Sequence, residues 1–586
     1  MNAATQETSL PASPAMPVPE TVEVLVIGAG PVGATMANLL GTYGIRTLVL
    51  ERNTEILDYP RAVGLDDEAM RTLQSAGVAD SMLKDMMQNV PMRMYTASHQ
   101  CFAEFLPATR EFGWFRRNLF SQPLGERALR AGLQRFPHVE LRSGVELVGL
   151  EQDADGVTAK VRHADGTERV VRASLLLGAD GGRSTVREKL LQLPFPGATH
   201  ARKWVVIECD NDPLDAPYTA LHCDPVRPYV CLHLPYGIRR WEFMLFPGED
   251  DAQMLHPDKV RELLSRQVPD PGALNIIRAR VYTHHSRIAS TFVVGRVCIA
   301  GDAAHLTPPW IGQGLNAGLR DACNLAWKAA WIVRGRLKPE VLATYNDERH
   351  RHAKAMIELA DLFGAVLSQT QPVLAWLRDR TFMAIRNIPR LRDYVLQMKF
   401  KPMPRYTQGV VLDAERNEGV GRMFIQPTVD TADRSGIRLD DALGHGFTLL
   451  AWRHMPGLSA VALAGLDRLG CHRTVAAMAR SGPASGRRID VPDGVALIED
   501  TENALNLWFR ATGVDWVLIR PDRYIAAMGG RADADETLRR FVDRFVPAAD
   551  TQVAPPGDPH AADSSRLAVR DPALPSATAR PAKEAA

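Results

Sequence analysis

A chain of 586 residues, 46% hydrophobic and 23% charged, holds enough apolar material for two or three domains around at least one large core. Its 69 Lys and Arg against 68 Asp and Glu leave a formal charge of +1, which gives no global field toward nucleic acid or an anionic membrane. The 7 cysteines are scattered, with no CxxC pair and no metal-ligand spacing, a pattern that suits a reducing compartment and excludes a disulfide framework. The first twenty residues carry neither a basic nor an apolar signal region, and no apolar run is long enough to span a bilayer. A soluble, cytoplasmic protein is the expectation.

Residues 1–20 and 549–586, rich in Ala, Pro, Ser and Asp, read as disordered tails. Between them, the apolar run 22–27 predicts a buried parallel strand, 31–43 a helix and 46–50 a second strand, together a βαβ unit. Residues 139–178 predict an antiparallel meander, punctuated by Asp155-Gly156 and Asp165-Gly166. Residues 203–290 are strand-rich and predict a separate sheet. A strand at 293–300 leads to a long helix over 314–333, with acidic and basic residues gathered on one side. Residues 340–400 predict helices, and 405–548 a third, mixed α/β domain.

The turn after the first strand reads Gly28-Ala29-Gly30-Pro31-Val32-Gly33. Gly28 permits the tight turn, Gly30 lets a pyrophosphate approach the backbone, and Gly33 lets helix and strand pack closely. The free N–H groups and positive end of the helix then face the phosphates. The second strand ends in Glu51, followed by Arg52, at the distance where an acid accepts hydrogen bonds from an adenosine ribose. A single copy of the fingerprint does not separate FAD from NAD, and it leaves no second such domain for a nicotinamide cofactor.

Two further stretches do separate them. Gly178-Ala179-Asp180-Gly181-Gly182-Arg183-Ser184, running on to Arg187, and Arg296 through Gly301-Asp302-Ala303-Ala304-His305 to Gly312-Gln313-Gly314-Leu315-Asn316 resemble the class A flavoprotein monooxygenases over residues 20–400. The resemblance implies FAD as bound cofactor, NADH or NADPH as co-substrate and O2 as oxidant. It implies that Asp180 contacts FAD and affects nicotinamide use. Asp302, at a strand end, can accept from ribitol hydroxyls. Gly312, Gly314, Leu315 and Asn316 would bring a helix N-terminus to the edge of the flavin that carries negative charge when reduced. His305 reads as a packed histidine without chemistry.

Within that family, Tyr59 to Glu68, Tyr282 to Ala289 and Leu306 to Trp310 resemble the branch that hydroxylates 3-(3-hydroxyphenyl)propionate and 3-hydroxycinnamate. Ortho-hydroxylation of a phenolic acid to a catechol is what this implies. Another phenol, a polyketide or an antibiotic remains the alternative substrate, and a flavin-binding sensor the alternative of another class. The expected fold is α/β: a Rossmann-type FAD-binding domain (21–190 and 285–400) interleaved with a mixed β-sheet substrate domain (191–284). The C-terminal domain (405–548), through Leu518 to Tyr524, resembles the thioredoxin-like third domain of phenol hydroxylases; with Cys471 alone it reads as structural or dimer-forming. Asp66 and Tyr282 match, by register, positions that line the phenol site in phenol hydroxylases, where an acid or tyrosine polarises the hydroxyl. Arg61, Arg278, Arg280, His284 and His285 are all open as cations for a substrate carboxylate.

Overall fold

The computed structural model describes residues 18–107, 109–398, 401, 403–478 and 491–548, so the two expected tails lie outside the described residues apart from Val18–Glu20. The first strand, Thr21–Ile27, has its last four residues buried and is flanked on both sides by parallel partners, Glu168–Gly178 and Thr47–Glu51. A strand buried on both faces needs a continuous apolar run, which Val24–Ile27 supplies. Helix Pro31–Thr42 leaves the glycine turn with Pro31 at its first position, where a missing N–H costs nothing.

The parallel sheet runs Val297–Ile299, Glu168–Gly178, Thr21–Ile27, Thr47–Glu51 and Val139–Ser143. Val139–Ser143 thus corrects the expected meander: it lies parallel to Thr47–Glu51, and the antiparallel part begins only at Val145–Gln152. The two expected turns are present, and aspartates tie them. Asp153 accepts from the Asp155 and Gly156 amides, and Asp165 from Thr167.

The second sheet is more deeply interleaved than the boundaries 191–284 imply. Its order is His305–Leu306, Ile276–Ile288, Gly197–Cys209, Ile238–Met244, Tyr229–Leu234, Thr219–His222, Met92–Tyr95 and Cys101–Phe105. Two strands from the first third of the chain therefore close one edge. Met92, Met94, Phe102 and Phe105 find their apolar cover there, against Leu221, Cys223 and Leu367.

In the C-terminal sheet, Phe447–Trp452, Cys471–Met478 and Ala496–Asp500 run parallel, while Trp516–Ile519 and Ile525–Gly529 return antiparallel. One face (Phe447, Leu449, Trp516, Leu518) shares the large core of the glycine-turn domain; the other (Leu450, Val517, Ile519) packs on Phe424, Leu505 and Phe509. The described residues up to Pro547 accordingly form one packing unit. All seven cysteines are free, and burial pushes the Cys471 thiol up to about 12, so this domain presents no redox pair.

The charged side of the long helix Gly314–Val333 faces the interior. Arg320, Asp321, Asn324 and Lys328 are all buried. Lys328 lies 2.9 Å from Glu348, which also takes both Nη atoms of Arg520 at 2.8 Å; Arg520 in turn holds Asp522 at 2.5 Å. Asn324 donates to Glu348 and Asp522, and the Val410 amide donates to Glu348. Two cations and two anions cancel in a dry interior. Burial drives Lys328 down to about 8 against the pull of Glu348, and Arg520 and Lys328 overcome burial to hold Glu348 down at about 2. Removing one member leaves uncompensated charge, so Glu348→Ala is expected to cost about 3–5 kcal/mol. Thermal and denaturant unfolding measure this; a midpoint equal to wild type would contradict the assignment.

Candidate active site

A cavity of about 490 Å³ runs from the glycine turn to one face of the second sheet. Three glycines at its head do different work. Gly28 has φ +98° and a Cβ there would stand 2.4 Å from the Ala179 carbonyl; a Cβ on Gly33 would stand 1.9 Å from the Gly28 carbonyl. A Cβ on Gly30 would meet nothing within 4 Å, because Gly30 faces the cavity. The helix behind it has no side-chain cap, so its first amides are open to an anion. Gly33 and Gly301 do not line the cavity. Gly301, at φ +60° and packed on Val32, allows the turn that presents Asp302.

Glu51 is buried and accepts from the Ala29 amide at 2.9 Å and from Asn53, which fixes its carboxylate at the cavity edge beside the exposed Arg52. Asp180 also reaches the cavity, but its carboxylate accepts from Ser184 and the Val186 amide, and burial raises its carboxyl. It is both a turn-former and a wall. Asp302 is exposed at the cavity. Gly312, with φ +62°, and the uncapped start of helix Gly314–Val333 bring Gly314, Leu315 and Asn316 to the same wall.

Arg130 was not singled out by the sequence. Its Nε donates to the Ala29 carbonyl, it pairs with Glu126 at 2.9 Å, and it lines the cavity beside the phosphate-facing turn. Gln122 accepts from the Arg61 and Ala62 amides and closes the same end. No local motif marks either residue, since both sit on helix Gln122–Gly132, far along the chain from the glycines.

Asp66 lines the cavity, yet it is already engaged. It caps helix Asp67–Ser75 through the Ala69 amide, pairs with Arg320, and lies 2.7 Å from Lys401. Burial would raise its carboxyl, but Arg320 and Lys401 outweigh that and hold it far below the usual carboxylate range. Its amide donates to Asn316 Oδ1, and Asn316 Nδ2 donates to the Gly312 carbonyl, so Asp66 braces the Gly312 turn. Tyr282 lies opposite Trp204 and two residues before His284. Those two line the cavity while Tyr282 does not, and burial raises its hydroxyl. The structure therefore does not bring Asp66 and Tyr282 together as a proton-accepting pair. His305 is buried, 2.7 Å from Asp321.

The second-sheet wall is mostly apolar: Met92, Leu221, Val230, Leu232 and Trp204, with Trp310 edge-on to Trp204 at 5.0 Å. Glu242 is its carboxylate, paired with Arg240 at 2.9 Å. His284 is neutral, since burial and then His200 and His285 lower it to about 4. An amide-lined anion cradle, a ribose-type acid, a second acid and an uncapped helix start thus lead onto an apolar chamber.

Residues 21–360 match the family described as FAD binding domain, and 421–544 match the HcaD C-terminal domain. The chain belongs to the FAD-binding monooxygenase family. A Burkholderia vietnamiensis relative named 3-(3-hydroxy-phenyl)propionate/3-hydroxycinnamic acid hydroxylase 2 is 53% identical over 86% of this chain and 93% of its own. A Comamonas testosteroni protein of the same name, without the numeral, is 42% identical over 89% of this chain and 96% of its own. Aklavinone-11 hydroxylase, solved with FAD and aklavinone, superposes at TM-score 0.67 with 25% identity, covering 89% of this chain and 99% of its own. This flavoprotein monooxygenase has a cradle that fits FAD: Gly30, on the cavity wall, has open space where a Cβ would stand, and both helix starts that reach the cavity are uncapped. Gly30→Ala is expected to fold as wild type and lose FAD, because its φ of −67° accepts alanine while the methyl enters the ligand's path. Gly33→Ala should instead lower stability by about 1–3 kcal/mol through overpacking. Flavin content and apoprotein melting separate the two; a Gly30→Ala protein with full FAD would refute the cradle.

Proposed function

We propose that the enzyme hydroxylates a phenolic carboxylic acid of the 3-(3-hydroxyphenyl)propionate or 3-hydroxycinnamate type at the ring carbon ortho to its hydroxyl. NAD(P)H, H⁺, O2 and the phenol give NAD(P)⁺, water and the catechol, so one oxygen atom enters the ring and the other leaves as water. Bound FAD supplies the electron transfer and oxygen activation. The observation that carries the reading is the continuity of the cradle with an apolar, aromatic chamber whose carboxylate, Glu242, is accessible from the cavity. The names of the relatives support the same substrate class.

Gly28, Gly30, Arg130, Glu51 and Arg52 would hold the dinucleotide end. Asp180, Asp302 and the Gly312–Asn316 turn would hold the flavin end, with Gly33 and Gly301 making room behind. Glu242 accepts the hydrogen bond of the phenol hydroxyl and raises electron density on the ring. Asp66 serves as a brace for the Gly312 turn, since a carboxylate held by two cations is a poor proton acceptor. Trp204, Trp310 and Leu232 exclude water. The C-terminal domain reads as thioredoxin-like in its βαβ unit followed by an antiparallel pair and helix Ala534–Phe545, without redox function. Cytoplasmic residence and homodimerisation belong to the same proposal. No helix among the described residues is long and apolar enough to cross a membrane, and Val373, Trp376 and Leu377 stand exposed on one helix.

Phenolic acids should stimulate NADH or NADPH oxidation by the purified yellow protein, with a product one oxygen atom heavier. Glu242→Gln should lower hydroxylation about 10²–10⁴-fold, with hydrogen peroxide released in place of product. A protein whose nicotinamide oxidation no phenol stimulates would refute the reading.

A further inference from the structure

Of the adjacent cavity arginines Arg116 and Arg117, one has no acid beside it. Arg117 donates from Nε to the Val90 carbonyl at 3.0 Å and from Nη1 to Met92 Sδ at 3.5 Å, and no carboxylate among the described residues pairs with it. Its neighbour Arg116, also on the wall, is by contrast held by Asp67 at 3.3 Å and Glu111 at 3.4 Å. Burial alone lowers Arg117, to about 10, which still leaves it a cation at neutral pH. A second observation lies next to it. Thr219 lines the same wall, is 4% exposed, and its buried Oγ1 has no hydrogen-bond partner among the described residues. Thr219 is registered against Met92 in the adjacent parallel strand. An unpaired cation and an unpaired hydroxyl thus flank one methionine, and each group is costly to leave unmatched in a low-dielectric wall.

The other candidate cations are occupied or misplaced. Arg278 is bound by Glu208 at 2.7 Å, Arg280 lies over Tyr59 at 4.1 Å and does not line the cavity, and His285 is likewise off the wall. Arg61 lines the cavity, but at the Gln122 end beside the cradle. His284 is neutral and lies four strands from Thr219, about 19 Å away at ordinary strand spacing. Glu242 lies two strands over and two residues along on the same sheet, about 12 Å between Cα atoms.

We propose that Arg117 and Thr219 form the seat of the substrate carboxylate and so make the enzyme select phenolic acids over uncharged phenols. This rests on the phenolic-acid reading above. Arg117 would give charge-assisted hydrogen bonds to the carboxylate and Thr219 Oγ1 a further one. Neither residue takes part in the redox step, so both are specificity residues.

The test compares kcat/KM for 3-(3-hydroxyphenyl)propionate with that for 3-propylphenol, which lacks the carboxylate, using holoenzyme throughout. In Arg117→Met the acid-to-phenol ratio should fall about 10²-fold, mainly through KM, with Arg117→Lys in between; in Thr219→Val it should fall about 10-fold. Binding of both ligands, followed by the change in flavin absorbance, gives the same comparison without turnover. A merely structural role would weaken acid and phenol alike. An unchanged ratio in a flavin-replete Arg117→Met protein overturns the proposal. Should that variant fail to fold, an unchanged ratio in the near-isosteric Thr219→Val overturns it. A wild-type enzyme that neither binds nor turns over any phenolic acid overturns the substrate reading itself, and that result is visible before any variant is made.

Discussion

Charge buried on the helix that starts at the flavin turn constrains everything packed around it. Helix Gly314–Val333 carries Arg320, Asp321 and Lys328 into the interior, and an ion taken out of water is tolerable only beside a matched counter-ion. The partners come from three other segments of the chain: Asp66 and Glu68 for Arg320, His305 and Arg349 for Asp321, and Glu348, next to Arg349, for Lys328. Arg520 and Asp522 then bring the C-terminal domain onto Glu348. The helix can be neutral only when all these segments are docked. Its N-terminus, the part that faces the cavity, is therefore set by the whole molecule.

That dependence explains a division of labour at the site. The cofactor end is built from backbone: glycines at special φ values and two uncapped helix starts, with few side chains to adjust. The substrate end is built from side chains on a sheet whose strands come from residues 92–105, 197–288 and 305–306. Backbone cradles suit a cofactor that stays constant, and a sheet face suits substrates that vary, because one substitution alters one contact and leaves the ladder intact.

Legibility in the sequence follows the same line. The cradle's lining was readable because its glycines answer local demands, and because Glu51 ends a strand while Asp180 and Asp302 lie just beyond one. Arg130, Glu242, Arg117 and Thr219 were not readable. Each is one polar residue on an otherwise ordinary strand, loop or helix, and only the tertiary fold brings them to one cavity. The charged side of helix Gly314–Val333 was readable as a side, but its surroundings were not. Periodicity reports that polar residues share a face but not whether that face meets water or counter-ions. The strand Val139–Ser143 misled because alternation does not distinguish a parallel edge partner from the first arm of a meander.

Asp66 shows how a register match and a physical role diverge. A carboxylate at the cavity wall invites the role of proton acceptor, and position alone supports it. Yet Arg320 and Lys401 stabilise its anionic form so strongly that taking a phenol's proton would mean giving up both ion pairs. Asp67, next in the chain, shows the opposite shift: burial and the Asp66 charge push its carboxyl up to about 7, with Arg116 and Lys401 only partly offsetting them. One anion is thus secured at the cost of its neighbour's ionisation, as close carboxylates in a dry site require. The secured anion sits where its amide holds Asn316, and Asn316 holds the Gly312 carbonyl. Fixed charge at Asp66 therefore steadies the Gly312 turn at the cavity wall.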